Sequence, residues 1–230
     1  MKLSVIPIAV LVVMALGACR GMTGESTVIT DEIPVDANAE LQIDNVTGSI
    51  EIAGADRTSI DLSATVTDAG LSAPRNYVDV YDVTIDVSTE GPVRIAHSPF
   101  DAGNISVDYD LYVPDDMTID FVETVTGGIV VLDASAIRHL ETVTGSIEAD
   151  LLGVPADGSP VVIETTTGSI IVAIDPSLAI SISAHTVTGS VTVDGALGAS
   201  GGGGNWTLNG GGRQVTISAT TGSIRLIAAH

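Results

Sequence analysis

The chain has 230 residues, with eight Lys and Arg against 29 Asp and Glu and a formal net charge of −21. A surface this acidic repels the phosphates of nucleic acid and the headgroups of anionic lipid, so neither is expected as a partner through charge contact. Aliphatic residues are plentiful but there are only one Trp, two Phe and four Tyr, so the core must be built from Val, Ile, Leu and Ala, a palette whose branching suits a pleated sheet better than a helix.

The chain opens with Met1-Lys2, an apolar run from Leu3 to Leu16, and Gly17-Ala18-Cys19. A single positive charge, a short apolar segment and small residues form an export signal over residues 1–18, too short for a comfortable membrane span. Leu16-Gly17-Ala18-Cys19 resembles the lipobox of prokaryotic lipoproteins. The resemblance implies cleavage before Cys19 and lipidation of its thiol and new amine, against the alternative of an ordinary signal peptide with an incidental cysteine. Cys19 is the sole cysteine, so it has no disulfide partner, and lipid transfer accounts for it. The expected location is therefore the cell envelope, held to the membrane by lipid. Arg20 stands where an aspartate retains lipoproteins at the inner membrane of many diderm bacteria, which favours the outer membrane in such a cell. The only lysine is Lys2, so the chain from Cys19 onward carries seven Arg against 29 acids, a net charge of −22. Those acids are spread along the chain, as hydration of the surface requires; a cation-collecting role is the other reading.

Residues 19–38 have little periodicity and are read as a lipidated tether, leaving 39–230 as the folded part. The main signal there is a hexapeptide that recurs six times. It begins with Asn45-Val46-Thr47-Gly48-Ser49-Ile50 and returns around Gly127, Gly145, Gly168, Gly189 and Gly222, with Thr directly before every one of these glycines. Two and four residues after each Gly the side chain is apolar, as in Ile50/Ile52 and Ile170/Val172, with a mixed residue between. That is strand alternation with one face buried. Five before each Gly stand Ile43, Val122, Leu140, Ile163, Ala184 and Ile217, again apolar. The two apolar columns are an odd distance apart, so a bend or bulge is predicted between them, near the fourth and third positions before Gly. Glycine then allows close backbone approach or an unusual φ at the corner.

Strand, corner and strand at intervals of roughly twenty residues predict an all-β fold, a single parallel β-solenoid whose circuits stack to share hydrogen bonds and core. An antiparallel sandwich is the competing architecture. The first two glycines are 79 residues apart, and between them lie alternating stretches at 58–67, 78–87 and 105–113, read as wider circuits or an antiparallel N-terminal cap. Gly198 to Gly212, rich in glycine, reads as a flexible excursion before the sixth repeat.

The Thr-Gly-Ser-Ile repeats, with Asp108-Tyr109-Asp110-Leu111-Tyr112-Val113-Pro114 before the main array, resemble the DUF4097-type adhesin family over residues 39–230. The resemblance implies an exported, repetitive β fold and an adhesive role, and it brings no catalytic residues.

Chemistry-bearing patterns are sparse. Four before the glycines stand Asp44, Glu123, Glu141 and Glu164, then His185 and Ser218. Direct stacking would put Glu123, Glu141 and Glu164 at steps of about 5 Å, either as a column for a hard cation such as Ca²⁺ or as splayed, hydrated carboxylates. Thr124/Thr126, Thr142/Thr144, Thr165/Thr167 and Thr186/Thr188, in a column broken at Asn45 and Ala219, would form two outward ladders, as on ice-binding or crystalline-polysaccharide-binding surfaces, or simply suit strand edges. Four histidines lack metal-ligand spacing, and no serine lies in a nucleophile elbow. Arg94, Arg138 and Arg225 are not grouped by the sequence. The function expected is thus a non-catalytic envelope lipoprotein for adhesion or surface structure. It has no cofactor, and its partner is an envelope protein or glycan. A polysaccharide-binding or carbohydrate-active β-helix protein is the alternative.

Overall fold

Alternation of branched aliphatics with polar residues favours strands throughout, and the computed structural model is all-β over the residues it describes, 25–68, 79–99 and 104–229. Residues 1–18, read as an export signal, and Cys19 lie outside those residues. In chain order, β1 (Ser26–Pro34) precedes the first Gly corner, which joins β2 (Glu40–Thr47) to β3 (Ile50–Ala55). The long interval holds β4 (Ser59–Asp68), β5 (Thr84–Ser88), β6 (Val93–Ser98) and β7 (Ile105–Pro114). The next four corners join β8 (Thr118–Thr126) to β9 (Ile129–Leu132), β10 (Ala136–Thr144) to β11 (Ile147–Leu151), β12 (Val161–Thr167) to β13 (Ile170–Ile174), and β14 (Ile180–Thr188) to β15 (Val191–Val193). A hairpin, β16 (Ser200–Gly202) and β17 (Asn205–Leu208), then leads to the sixth corner between β18 (Arg213–Thr221) and β19 (Ile224–Ala228).

Two large sheets result. One has nine strands in the order β1-β4-β7-β3-β9-β11-β13-β19-β15, the other ten in the order β16-β17-β14-β18-β12-β10-β8-β2-β6-β5. Every repeat gives its first strand to the ten-stranded sheet and its second to the nine-stranded one. Within the array the pairing is parallel and in register: Leu140 stands beside Ile163 and Val122, and Ile147 beside Ile170 and Ile129. The inward residues of both sheets form one aliphatic cluster, in which the column five before Gly and the isoleucines two after it are almost wholly buried.

The single parallel coil expected from the repeats is met only in part, because both sheets are mixed. β1, β4 and β7 pair antiparallel at one end of the nine-stranded sheet, and β5–β6 and β14–β17–β16 do so at the two ends of the other. Residues 26–34, read as tether, are instead strand β1, paired along its whole length with β4. Its Ile29 and Ile33 are buried, which gives the segment a reason to fold onto the sheet. The glycine-rich stretch read as a flexible excursion is in part a hairpin that covers β14, with Trp206 packed against the core.

The stacking order is also not the chain order. The sixth repeat inserts between the fourth and fifth, since β18 pairs with both β12 and β14 and β19 with both β13 and β15. At the other end β6 and β7 lie beside β2 and β3, so the first repeat is likewise internal.

Candidate functional site

The glycine corners set the geometry of the exposed surfaces. All six glycines stack in one column, and the next rung's backbone stands where each side chain would be. A Cβ added at any of them would lie 1.7–2.1 Å from a carbonyl oxygen of the adjoining rung, inside any tolerable contact. Five of the six also have φ between +123° and +154°, a region open to glycine. The ladder continues through the corner: Gly145 N–H donates to the Thr167 carbonyl at 2.9 Å and Ile147 N–H to that of Ser169 at 3.0 Å.

The break in alternation falls later than predicted. The third position before Gly is still inward, and the second and first both face solvent. Of the two threonine ladders expected to point outward, the inner one instead points inward, with Thr124, Thr142 and Thr165 buried and Thr186 partly so. Thr124, Thr142, Thr165 and Thr186 each donate their hydroxyl to the glycine carbonyl of a neighbouring rung, at 2.8–3.1 Å. Asn45 serves the same end in the first repeat by donating to the carbonyls of Gly48 and Val107. Ala219 interrupts the series. Only the threonines immediately before Gly remain on the surface, beside Val125, Val143 and Val187.

On the outer face of the ten-stranded sheet, Asp44, Glu123, Glu141 and Glu164 do stand side by side in consecutive strands. Ser218 follows and His185 comes last, reversing their chain order. The column is divided among separate partners: Arg94 pairs with Asp44, His139 Nε2 lies 3.2 Å from Glu141, and Ser218 donates to Glu164 at 3.0 Å. Partial burial, then the charges of Glu141 and Asp44, raise the Glu123 pKa, with His139 opposing. Among the described residues no group of three or more His, Cys, Asp or Glu is placed to hold a metal ion.

Arg138, which no sequence spacing groups with anything, is a clamp. It binds Glu40 at 2.7 Å, Asp120 at 2.9 Å and Asp157 at 3.1 Å, and Asp120 also accepts from Gln42. Burial works against its charge, yet the hydrogen bonds to Glu40 and Asp120 more than offset this and lift its pKa above the ordinary guanidinium value. The interaction ties the first three repeats and the 152–160 loop together, which is a structural task.

The outer face of the nine-stranded sheet carries a trough of about 560 Å³ over β1, β4 and β7. Two rows of outward side chains cross it. Thr30, Ser63 and Asp110 are in register in one row, and Glu32, Asp61 and Tyr112 in the next. Ser59 donates to Glu32 at 3.0 Å, and Arg57 pairs with Asp61. Tyr112 is 51% exposed. Thr30 and Glu32 escape a reading that starts the fold at residue 39, because their wall belongs to β1. The alternation of buried Ile29 and Ile33 with exposed Thr30 and Glu32 was the available signal.

No family model matches the chain, and no curated protein matches it in sequence. Among solved structures it is similar to a candidate cell adhesion protein from Clostridium sporogenes, with a TM-score of 0.66 at 15% identity, over 90% of this chain and 100% of that one. A candidate adhesin from Bacteroides fragilis aligns with a TM-score of 0.35 at 10% identity, over 87% of this chain and 97% of that one. The Clostridium likeness is one of fold. The finer DUF4097 resemblance has no family model behind it.

Proposed function

We propose that this protein is a non-catalytic adhesin-like module of the cell envelope, anchored by lipid at Cys19, whose rungs make up a solenoid that displays its outer faces for contact. The observation that carries this reading is the in-register stack of glycine corners, which fixes a stiff scaffold and leaves regular flanks outward. The Clostridium sporogenes protein of similar fold, named for cell adhesion, supports the reading. So does the export signal with its single lipobox-like cysteine. The protein's tasks, on this view, are attachment and presentation.

The test is adherence. Beads coated with the purified protein should attach to bacterial cells or to glycan- or protein-coated surfaces above uncoated beads. No attachment to any of these would sink the adhesive reading, and release of new reducing ends from a polysaccharide would overturn its non-catalytic part. Lipidation is read separately, by incorporation of labelled palmitate that Cys19→Ser abolishes.

A further inference from the structure

We propose that the trough over β1, β4 and β7 is a glycan-binding site that takes a short stretch of neutral or amine-bearing sugar, with a ring stacked on Tyr112. The inference rests on the adhesive reading and names its ligand class. The volume of about 560 Å³ is that of a small-molecule site. Two rows of side chains span a patch about 10 Å across, since neighbouring strands lie about 4.8 Å apart, which matches roughly two sugar rings.

The chemistry of the walls selects sugars. Tyr112 offers a half-exposed aromatic face with a polar tip, suited to the C–H face of a pyranose with its hydroxyls at the rim. Glu32, Asp61 and Asp110 are acceptors for hydroxyl groups, and Thr30 and Ser63 both donate and accept. Two of these acceptors are held before any ligand arrives, Glu32 by Ser59 and Asp61 by Arg57, so binding loses little side-chain freedom there. The small Ser63 side chain leaves the floor on β4 open. Charge narrows the class further. Asp31, Glu32, Asp61 and Asp110 outweigh Arg57, so uronate or sulfated glycans are repelled and an ammonium-bearing hexosamine is attracted.

The test is an array of neutral, amino, uronate and sulfated oligosaccharides probed with the purified protein and with Tyr112→Ala and Asp110→Asn. Neutral or amino sugars should be retained. Tyr112→Ala should weaken them at least tenfold with an unchanged melting temperature, and Asp110→Asn should weaken the amino sugars more than the neutral ones. Retention confined to acidic glycans, retention of a basic peptide but no sugar, or sugar binding indifferent to Tyr112→Ala would each overturn the proposal. If no sugar binds while coated beads still adhere, the trough is wrong and the adhesive role stands; loss of both removes both.

Discussion

At the scale of single residues the fold is governed by the corner, where one atom more or less decides the outcome. A Cβ on Gly168 would lie 1.8 Å from the Gly145 carbonyl oxygen, and that oxygen belongs to backbone locked in two ladders, so it cannot retreat. Gly168→Ala should therefore lower stability by about 3 kcal/mol or more, whereas Gly195→Ala, with nothing within 4 Å of the added carbon, should stay within about 0.5 kcal/mol. Chemical denaturation of the two variants checks the contrast. The buried threonines give a second pair. Thr142→Val keeps the shape but removes the donor to the Gly127 carbonyl, at 2.9 Å, and should cost about 1–3 kcal/mol. Ala219 is the one member of that column with no side-chain donor for its neighbour, the Gly168 carbonyl. Ala219→Thr should restore the bond and raise stability by about 0.5–1.5 kcal/mol; a lowered melting temperature would show that the sixth rung has no room for the two extra atoms.

At the scale of elements, what the sequence made legible is what repeats. Alternation around each glycine revealed both apolar columns and the parallel register, because a one-residue slip would turn Ile163 or Ile170 to solvent. Position within the corner was less legible: buried Thr and exposed Thr have the same letter, and only the neighbouring carbonyl tells Thr142 from Thr144. Elements without the repeat were harder still. β1 has two inward aliphatics in nine residues, and the hairpin beyond β14 is built largely of glycine, so neither advertises a strand. The ten-stranded sheet supplies a pH prediction. Glu123, on its outer face, has a folded pKa raised above 4.5 by burial and by Glu141 and Asp44. The folded state thus holds its proton more tightly than the unfolded one. The resulting stabilisation is complete below 4.5 and is lost as pH rises through the raised value. Glu123→Gln should abolish that slope, so wild type minus variant stability should fall as pH climbs from 4.5 toward neutrality. Asp157 works in the opposite sense, lowered by hydrogen bonds from Ser159 and by Arg138, and its contribution is lost only as pH falls below 3.8. Urea midpoints measured at intervals of pH separate the two; a flat difference for Glu123→Gln would refute the assignment.

At the scale of the whole molecule the decisive feature is that neither the first nor the last repeat ends the stack. In a stack laid down in chain order, the final rung would have one neighbour and could be trimmed with the loss of a single interface. Here β18 and β19 are wedged between the fourth and fifth repeats. Removing residues 210–230 would strip β15 of its paired neighbour β19 and leave β14 with only the short β17, while exposing the edges of β12 and β13. Exposed parallel edges with aliphatic faces recruit other chains. The truncated protein should therefore lose protection across residues 180–208 as well as its own missing strands, and should aggregate. Hydrogen exchange checks this, since amides of β14 in the full chain should be protected nearly as well as those of β10, although β14 lies close to one end of the stack. The same wedging makes folding of the C-terminal third wait for the last residues of the chain: β14 and β15 meet their parallel partners only after β18 and β19 have been made. The fifth and sixth repeats should then gain protection together in a refolding pulse-labelling experiment, and protection of β15 ahead of β19 would contradict the insertion.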